Sequence, residues 1–136
     1  MQQIVSKLYE SNTFVIENNN EVLIVDAGVT LEEIKKCVGD KKVVGILLTH
    51  GHFDHSYYIS SYIEEFKTKA YASKFAKEYL ADHKKNYSSD FGLNMNMQDF
   101  KNFVFLENSG SIKIGSFLVE FGQLGGHSKS DMFFKV

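Results

Sequence analysis

The sequence predicts a single mixed α/β domain, on three observations. Short runs rich in Val, Ile, Leu and Phe recur between turn-forming residues, as in Val22-Leu23-Ile24-Val25 and Val43-Val44-Gly45-Ile46-Leu47-Leu48. Segments of helical period stand between those runs. With 136 residues, 43% of them hydrophobic, the chain is long enough for one domain with a real core and too short for a second independent one.

Taken in order, Ile4–Leu8, Thr13–Glu17 and Glu21–Asp26 read as antiparallel strands, with Asn18-Asn19-Asn20 as a turn between two of them. A helix follows from Leu31 to Val38, and Thr30 is placed to cap it. Val43–Leu48 is apolar throughout and reads as a buried strand. Ser56 to Phe66 reads as a second helix with Tyr58, Ile59, Tyr62, Ile63 and Phe66 on one face, and Asp54 or Ser56 could cap it. Lys69–Ala72 suits a short strand and Ser73–Ala81 a third helix. Phe103–Glu107, Ser111–Ile114 and Phe117–Phe121 are expected to be strands of a second sheet, with Asn108-Ser109-Gly110-Ser111 as a turn and Met132-Phe133-Phe134 beginning a further strand. The chain has no proline, so its turns rest on Gly, Asn, Asp and Ser.

One stretch is more specific than all the others: Thr49-His50-Gly51-His52-Phe53-Asp54-His55. Three of the five histidines fall here, directly after a buried-strand pattern. Extended backbone puts residues i and i+2 on one side, so His50 and His52 can turn toward one ion while Asp54 and His55 face a second position. Neutral imidazole and ionised carboxylate are both good zinc ligands. The plain alternative is a histidine-rich surface loop, and for Asp54 it is helix capping.

His50-Gly51-His52-Phe53-Asp54-His55 resembles the His-x-His-x-Asp-His signature of the metallo-β-lactamase superfamily. Val22-Leu23-Ile24-Val25-Asp26-Ala27-Gly28 resembles the strand ending in Asp-x-Gly that precedes that signature, and Gly126-His127-Ser128 resembles the turn that supplies another ligand. Lys85-Asn86-Tyr87-Ser88 with Phe91-Gly92 resembles a segment of the small glyoxalase II-like members. The resemblance implies a four-layer αββα sandwich and a zinc-dependent hydrolase acting on a thioester or related ester through a metal-bound hydroxide. It implies one or two zinc ions, with iron or manganese as alternatives, held by His50, His52, Asp54, His55 and His127.

In that scheme His50, His52 and His127 make a three-histidine site with an open fourth position. Asp54 is the catalytic residue that orients the nucleophile, and Asp26 either steadies a ligand histidine or simply ends its strand. Around His127 the usual Thr-Pro is replaced by Leu124-Gly125, which predicts a less preorganised turn. The bridging aspartate and last histidine of the family have no counterpart before Val136, so the expectation is an N-terminal portion of such a hydrolase. A non-catalytic metal-binding relative, or a homodimer formed through the incomplete sheet, is the alternative.

The remaining composition narrows the class. A net charge of −2 gives no broad basic field, so a small-molecule substrate is expected rather than nucleic acid. The single cysteine, Cys37, excludes an internal disulfide and sits in a helical segment as a small, at least half-buried group. Met1 to Lys7 has no leader pattern and no stretch reaches membrane-span length, so a cytoplasmic protein without a membrane partner is expected. His83–Lys101 is polar and aperiodic; it reads as a surface excursion with Met95 and Met97 tucked onto the core, whereas the family resemblance implies a place near the mouth of the site, touching substrate.

Overall fold

The two most apolar runs become neighbouring parallel strands with both faces covered, the placement their unbroken hydrophobicity demands. The computed structural model describes residues 1–7 and 9–136. A six-stranded sheet runs in chain order through β1 (Gln2–Val5), β2 (Asn12–Asn18), β3 (Glu21–Val25), β4 (Lys42–Leu47), β5 (Ala70–Ser73) and β6 (Phe103–Leu106). β1, β2 and β3 pair antiparallel, and β3 through β6 pair parallel. α1 (Leu31–Val38), α2 (Phe53–Ser56), α3 (Ile59–Phe66) and α4 (Ala76–Leu80) connect the parallel strands. A second, antiparallel sheet holds β7 (Ser109–Ile114), β8 (Phe117–Gln123) and β9 (Met132–Lys135), in that order.

Strand alternation sorts the core into two layers. Val22 and Ile24 face the helices together with Ile34, Val38, Ile59 and Leu80. Leu23 faces the other way and meets Leu47, Ile114, Phe117 and Val119 between the sheets. The register between β3 and β4 slips after Val22, so that Val43 and Ile46 both reach the helix side while Val44 and Leu47 reach the second sheet. Gly45 occupies the slip because a Cβ there would stand 2.9 Å from Ile114 and 3.1 Å from Tyr71. The bulge thus lets a glycine bring the two sheets together just before the histidine motif.

The helices follow their local signals. Thr30 and Glu33 form a reciprocal capping box on α1, with Thr30 Oγ1 accepting from the Glu33 amide at 3.3 Å and Glu33 accepting from the Thr30 amide at 3.1 Å. Cys37 is half-buried on the same helix.

Four expectations need correction. The helix expected over Ser56–Phe66 is two helices, α2 and α3. The Tyr58 amide donates to Ala27 O (3.1 Å) and the Ala27 amide to His55 O (2.6 Å), which straps this segment to the turn after β3 and interrupts the helical ladder. Asp54 lies inside α2 and caps nothing, and the Ser56 hydroxyl donates back to His52 O at 2.8 Å. Phe103–Leu106 belongs to the first sheet rather than the second: Phe103 and Phe105 pack on the helix side and Val104 and Leu106 on the other, so its apolar run is covered on both faces. Ser109, Gly110 and Ser111 lie within β7, not in a turn. The first strand is Gln2–Val5, and the expected end at Leu8 lies outside the described residues.

The layers among the described residues are helix, sheet, sheet. The outward face of the second sheet carries Leu118 and Phe133, 63% and 46% exposed, beside a Lys135–Glu120 ion pair of 3.1 Å. The fourth layer of the expected sandwich is not among the described residues. None of the described helices is long and apolar enough to cross a membrane.

Candidate metal centre

The site forms where β3 and β4 end side by side, at the carboxyl edge of the parallel sheet, the usual ligand position in such sheets. β3 stops because Asp26 adopts a left-handed conformation, φ 63°, which Asp tolerates better than most residues. Its amide is held by Leu47 O at 2.8 Å, so the two strand ends are locked together. β9 closes the other side: the Met132 amide donates to Thr49 O at 2.8 Å and the Ser130 hydroxyl accepts from the Gly51 amide at 3.0 Å. Gly51 has no room for a side chain, because a Cβ would overlap the Cβ of Tyr79.

This frame brings the predicted ligands into two overlapping sets. Single donor atoms of His50, His52 and His127 lie within 4.8 Å of one another, and so do those of His50, Asp54 and His55. The ring centroids of the first set are 4.6 to 5.0 Å apart. His50 is common to both sets, so the second position has a third candidate donor that spacing alone did not offer it. His50 and His52 are buried, His127 is exposed.

A single carboxylate organises the donors from beneath. Asp26 Oδ1 accepts from the Thr49 amide (2.8 Å), and Asp26 Oδ2 accepts from Thr49 Oγ1 (2.7 Å) and contacts His55 Nδ1 (2.8 Å). A hydroxyl has one hydrogen. Thr49 Oγ1 gives it to Asp26, so toward His50 Nδ1, 3.0 Å away, it accepts. The bond accounting therefore puts the proton of both His50 and His55 on Nδ1 and leaves each Nε2 lone pair free. Asp26 thus ends the strand and also holds His55 directly and His50 through Thr49.

The electrostatics agree with lone pairs kept open. Burial pushes His50 down to about 3, helped by the neighbouring His55, His52 and His127. His52 is also lowered, by burial first and then by His127. His55 goes the other way: burial pulls it down, but the hydrogen bond and charge of Asp26, with Asp54, outweigh it and raise it.

The turn bearing His127 is less loose than its glycines suggest. The Asp131 carboxylate accepts from the His127 and Ser128 amides (3.0 and 2.8 Å) and from the Ser128 hydroxyl (2.6 Å). Burial pushes Asp131 up, but these donors and nearby His50 hold it below the ordinary range. Sequence reasoning gave Asp131, Ser130 and Thr49 no role. Thr49 was detectable as the residue abutting the motif, whereas the other two depend on how β9 returns.

His52, Asp54 and His127 line a cavity of about 600 Å³ with Tyr87, Asp90 and Phe91. The His83–Lys101 segment therefore has both proposed characters: Tyr87, Asp90 and Phe91 form the mouth, while Met95 and Met97 pack on the core. Asn86 fixes it. It is fully buried, its amide donates to Tyr79 O (2.9 Å) and Met95 O (2.8 Å), its Oδ1 accepts from Ser88, and its carbonyl accepts from the Phe53 amide at 2.9 Å.

The sequence model of the metallo-beta-lactamase superfamily matches residues 7–136. The chain belongs to that superfamily. The Bacillus subtilis (strain 168) probable metallo-hydrolase YqgX is 27% identical over 130 residues, covering 93% of this chain and 61% of the relative. The crystal structure of the BLEG-1 B3 metallo-beta-lactamase superposes with a TM-score of 0.89 at 26% identity, covering 98% of this chain and 65% of that one. TTHA1623, solved in a di-iron-bound form, superposes with a TM-score of 0.77 at 20% identity over 99% of this chain and 66% of that one. The chain spans less than two thirds of the length of each of these. Superfamily members bind metal through such a cluster, and the donor set fits: lone pairs converge, two of them on neutral buried imidazoles, beside a carboxylate.

Proposed function

We propose that the cluster binds zinc and that the protein is a hydrolase of the glyoxalase II-like group, cleaving a thioester or related ester. The observation that carries this is the convergence of His50, His52 and His127 below an open cavity, with His50 and His55 oriented by one Asp26 carboxylate. His50, His52 and His127 would hold one ion, and Asp54 and His55, sharing the vicinity of His50, a second. Bound there, zinc supplies Lewis acidity, making water acidic enough to lose a proton near neutrality and polarising a carbonyl oxygen.

The protein's own groups do the positioning. Asp54 Oδ2 stands 3.5 Å from His55 Nε2 at the cavity wall, where it can accept the proton of an entering water and fix its orientation. Asp26 and Thr49 keep the two imidazoles in one tautomer, so no reorganisation is required when substrate arrives. Phe53, 3% exposed, forms a buried apolar part of the cavity lining.

The thioester reading draws on Lys85-Asn86-Tyr87-Ser88 and Phe91-Gly92, whose resemblance lies with the small glyoxalase II-like members. β-Lactam hydrolysis is the second reading, favoured by the likeness to BLEG-1. Iron is the alternative to zinc, as in the di-iron form of TTHA1623. The test is a panel assay on zinc-loaded and iron-loaded protein: thiol release from acyl thioesters against opening of a chromogenic cephalosporin, each repeated on His52→Ala. Thioester turnover lost in the variant supports the proposal; turnover of the cephalosporin alone replaces it.

A further inference from the structure

Tyr87 stands in the left-handed region, φ 66° and ψ 8°, which a bulky side chain holds only where its surroundings enforce it. They do so here. Asn86 and Ser88 on either side are fully buried, Asn86 through the bonds described above and Ser88 through its hydroxyl, which accepts from the Met95 amide at 3.1 Å. Glycine would relax the backbone at this position. The chain keeps instead a tyrosine that is 50% exposed, with its ring 4.8 Å from that of His52.

The rest of the cavity has the same character. Phe91, 58% exposed, rests on Tyr9 (5.4 Å) and Phe53 (5.0 Å), which meet each other at 4.9 Å. Apart from the candidate metal ligands His52, Asp54 and His127, the lining offers one cation, Lys7, against Glu10 and Asp90. Tyr87, Phe91, Tyr9 and Phe53 are the apolar part of the lining, so a substrate whose carbonyl reaches His52 and His127 can lay its acyl substituent along these rings. Aromatic faces reward an aromatic occupant beyond the area it buries.

We infer that Tyr87, with Phe91 in the same lining, is a specificity residue that selects an aromatic acyl group, so that the substrate is an arylacyl ester or thioester rather than one with a short aliphatic acyl chain. The strain at Tyr87 is the cost of aiming an aromatic ring at the candidate ligand His52. The inference rests on the hydrolase reading for the position of the carbonyl, and binding separates the two.

The experiment is an NMR titration of the zinc-loaded chain with phenylacetate and with acetate, the acids that hydrolysis would release, repeated on the metal-free chain. It is run on wild type, Tyr87→Gly, Tyr87→Asn and Tyr87→Phe. The expected result is phenylacetate at least tenfold tighter than acetate in wild type and Tyr87→Phe, falling below threefold in Tyr87→Gly and Tyr87→Asn. The melting temperature of Tyr87→Gly should lie at or above wild type, which shows that the fold does not need the ring. A wild-type preference below tenfold, or one that the glycine and asparagine variants leave above threefold, overturns the inference. A preserved preference with no turnover of either phenylacetyl or acetyl thioester leaves the specificity assignment standing and removes the thioesterase reading; equal turnover of both does the reverse.

Discussion

Replacing Asp26 by Asn separates a strand-end clamp from a group that governs metal affinity. Asn tolerates the φ of 63° found at this position and keeps the side-chain volume. It cannot keep the bonds. Three donors converge on the carboxylate: the Thr49 amide at 2.8 Å, Thr49 Oγ1 at 2.7 Å and His55 Nδ1 at 2.8 Å. An amide offers one acceptor oxygen, so its NH2 must face at least one donor, and the two remaining bonds lose their charge assistance. Losing one charge-assisted bond costs about 1.5–3 kcal/mol. Asp26 is 3% exposed, so solvent does little to soften the loss.

Two consequences follow for Asp26→Asn. Stability of the metal-free chain should fall by about 2 kcal/mol in urea titration. Zinc affinity, read by competition with a chromogenic chelator, should fall roughly 10- to 100-fold, because neither His50 nor His55 is any longer held with Nε2 free. A stability loss with unchanged zinc affinity would refute the orienting role and leave only the clamp. Unchanged values for both would refute the bond accounting itself.

The other outcomes concern protonation and the cavity mouth. His50 is depressed to about 3, so its contribution to the stability of the metal-free chain is fully present above about pH 6.5 and is lost as pH falls toward 3. Between pH 7 and pH 5 that amounts to about 2 kcal/mol in urea unfolding, and His50→Gln should flatten the slope. His55, raised in the folded chain, acts in the opposite sense: its contribution is present below its unfolded value and is lost as pH rises through the raised one. Asn86→Ala leaves the buried Met95 carbonyl and Ser88 amide without their partners and takes one of two donors from Tyr79 O; chemical denaturation should show a loss of about 2–4 kcal/mol, with weaker protection of the Phe53 amide in hydrogen exchange.

What the sequence conveyed follows from locality. The motif residues are close in sequence and run from just past the end of β4 into α2, so spacing sufficed to pair His50 with His52 and Asp54 with His55. His127 arrives from the β8–β9 turn, and only its resemblance to a family turn pointed to it. α1 was legible to the residue because its capping box and apolar face lie within one segment. α2 and α3 were read as one helix because the break comes from bonds to Ala27, a residue distant in sequence, and the apolar period runs through it. The sheet to which Phe103–Leu106 belongs was likewise hidden, since FVFL fits any strand with two covered faces and only the β5 pairing decides. Asn86 and Asp131 act through bonds to backbone groups, which leave no trace in hydrophobic pattern or charge.

The central claim is that the histidine cluster is a metal centre, and metal content per chain tests it most directly. Protein purified without added metal is measured by mass spectrometry, then again after zinc loading and desalting, alongside a His50→Ala, His52→Ala double variant. His50 belongs to both ligand sets, so the account predicts bound metal in the wild type and its loss from both positions in the double variant. Metal-free wild type after loading, or equal content in the two proteins, would contradict it.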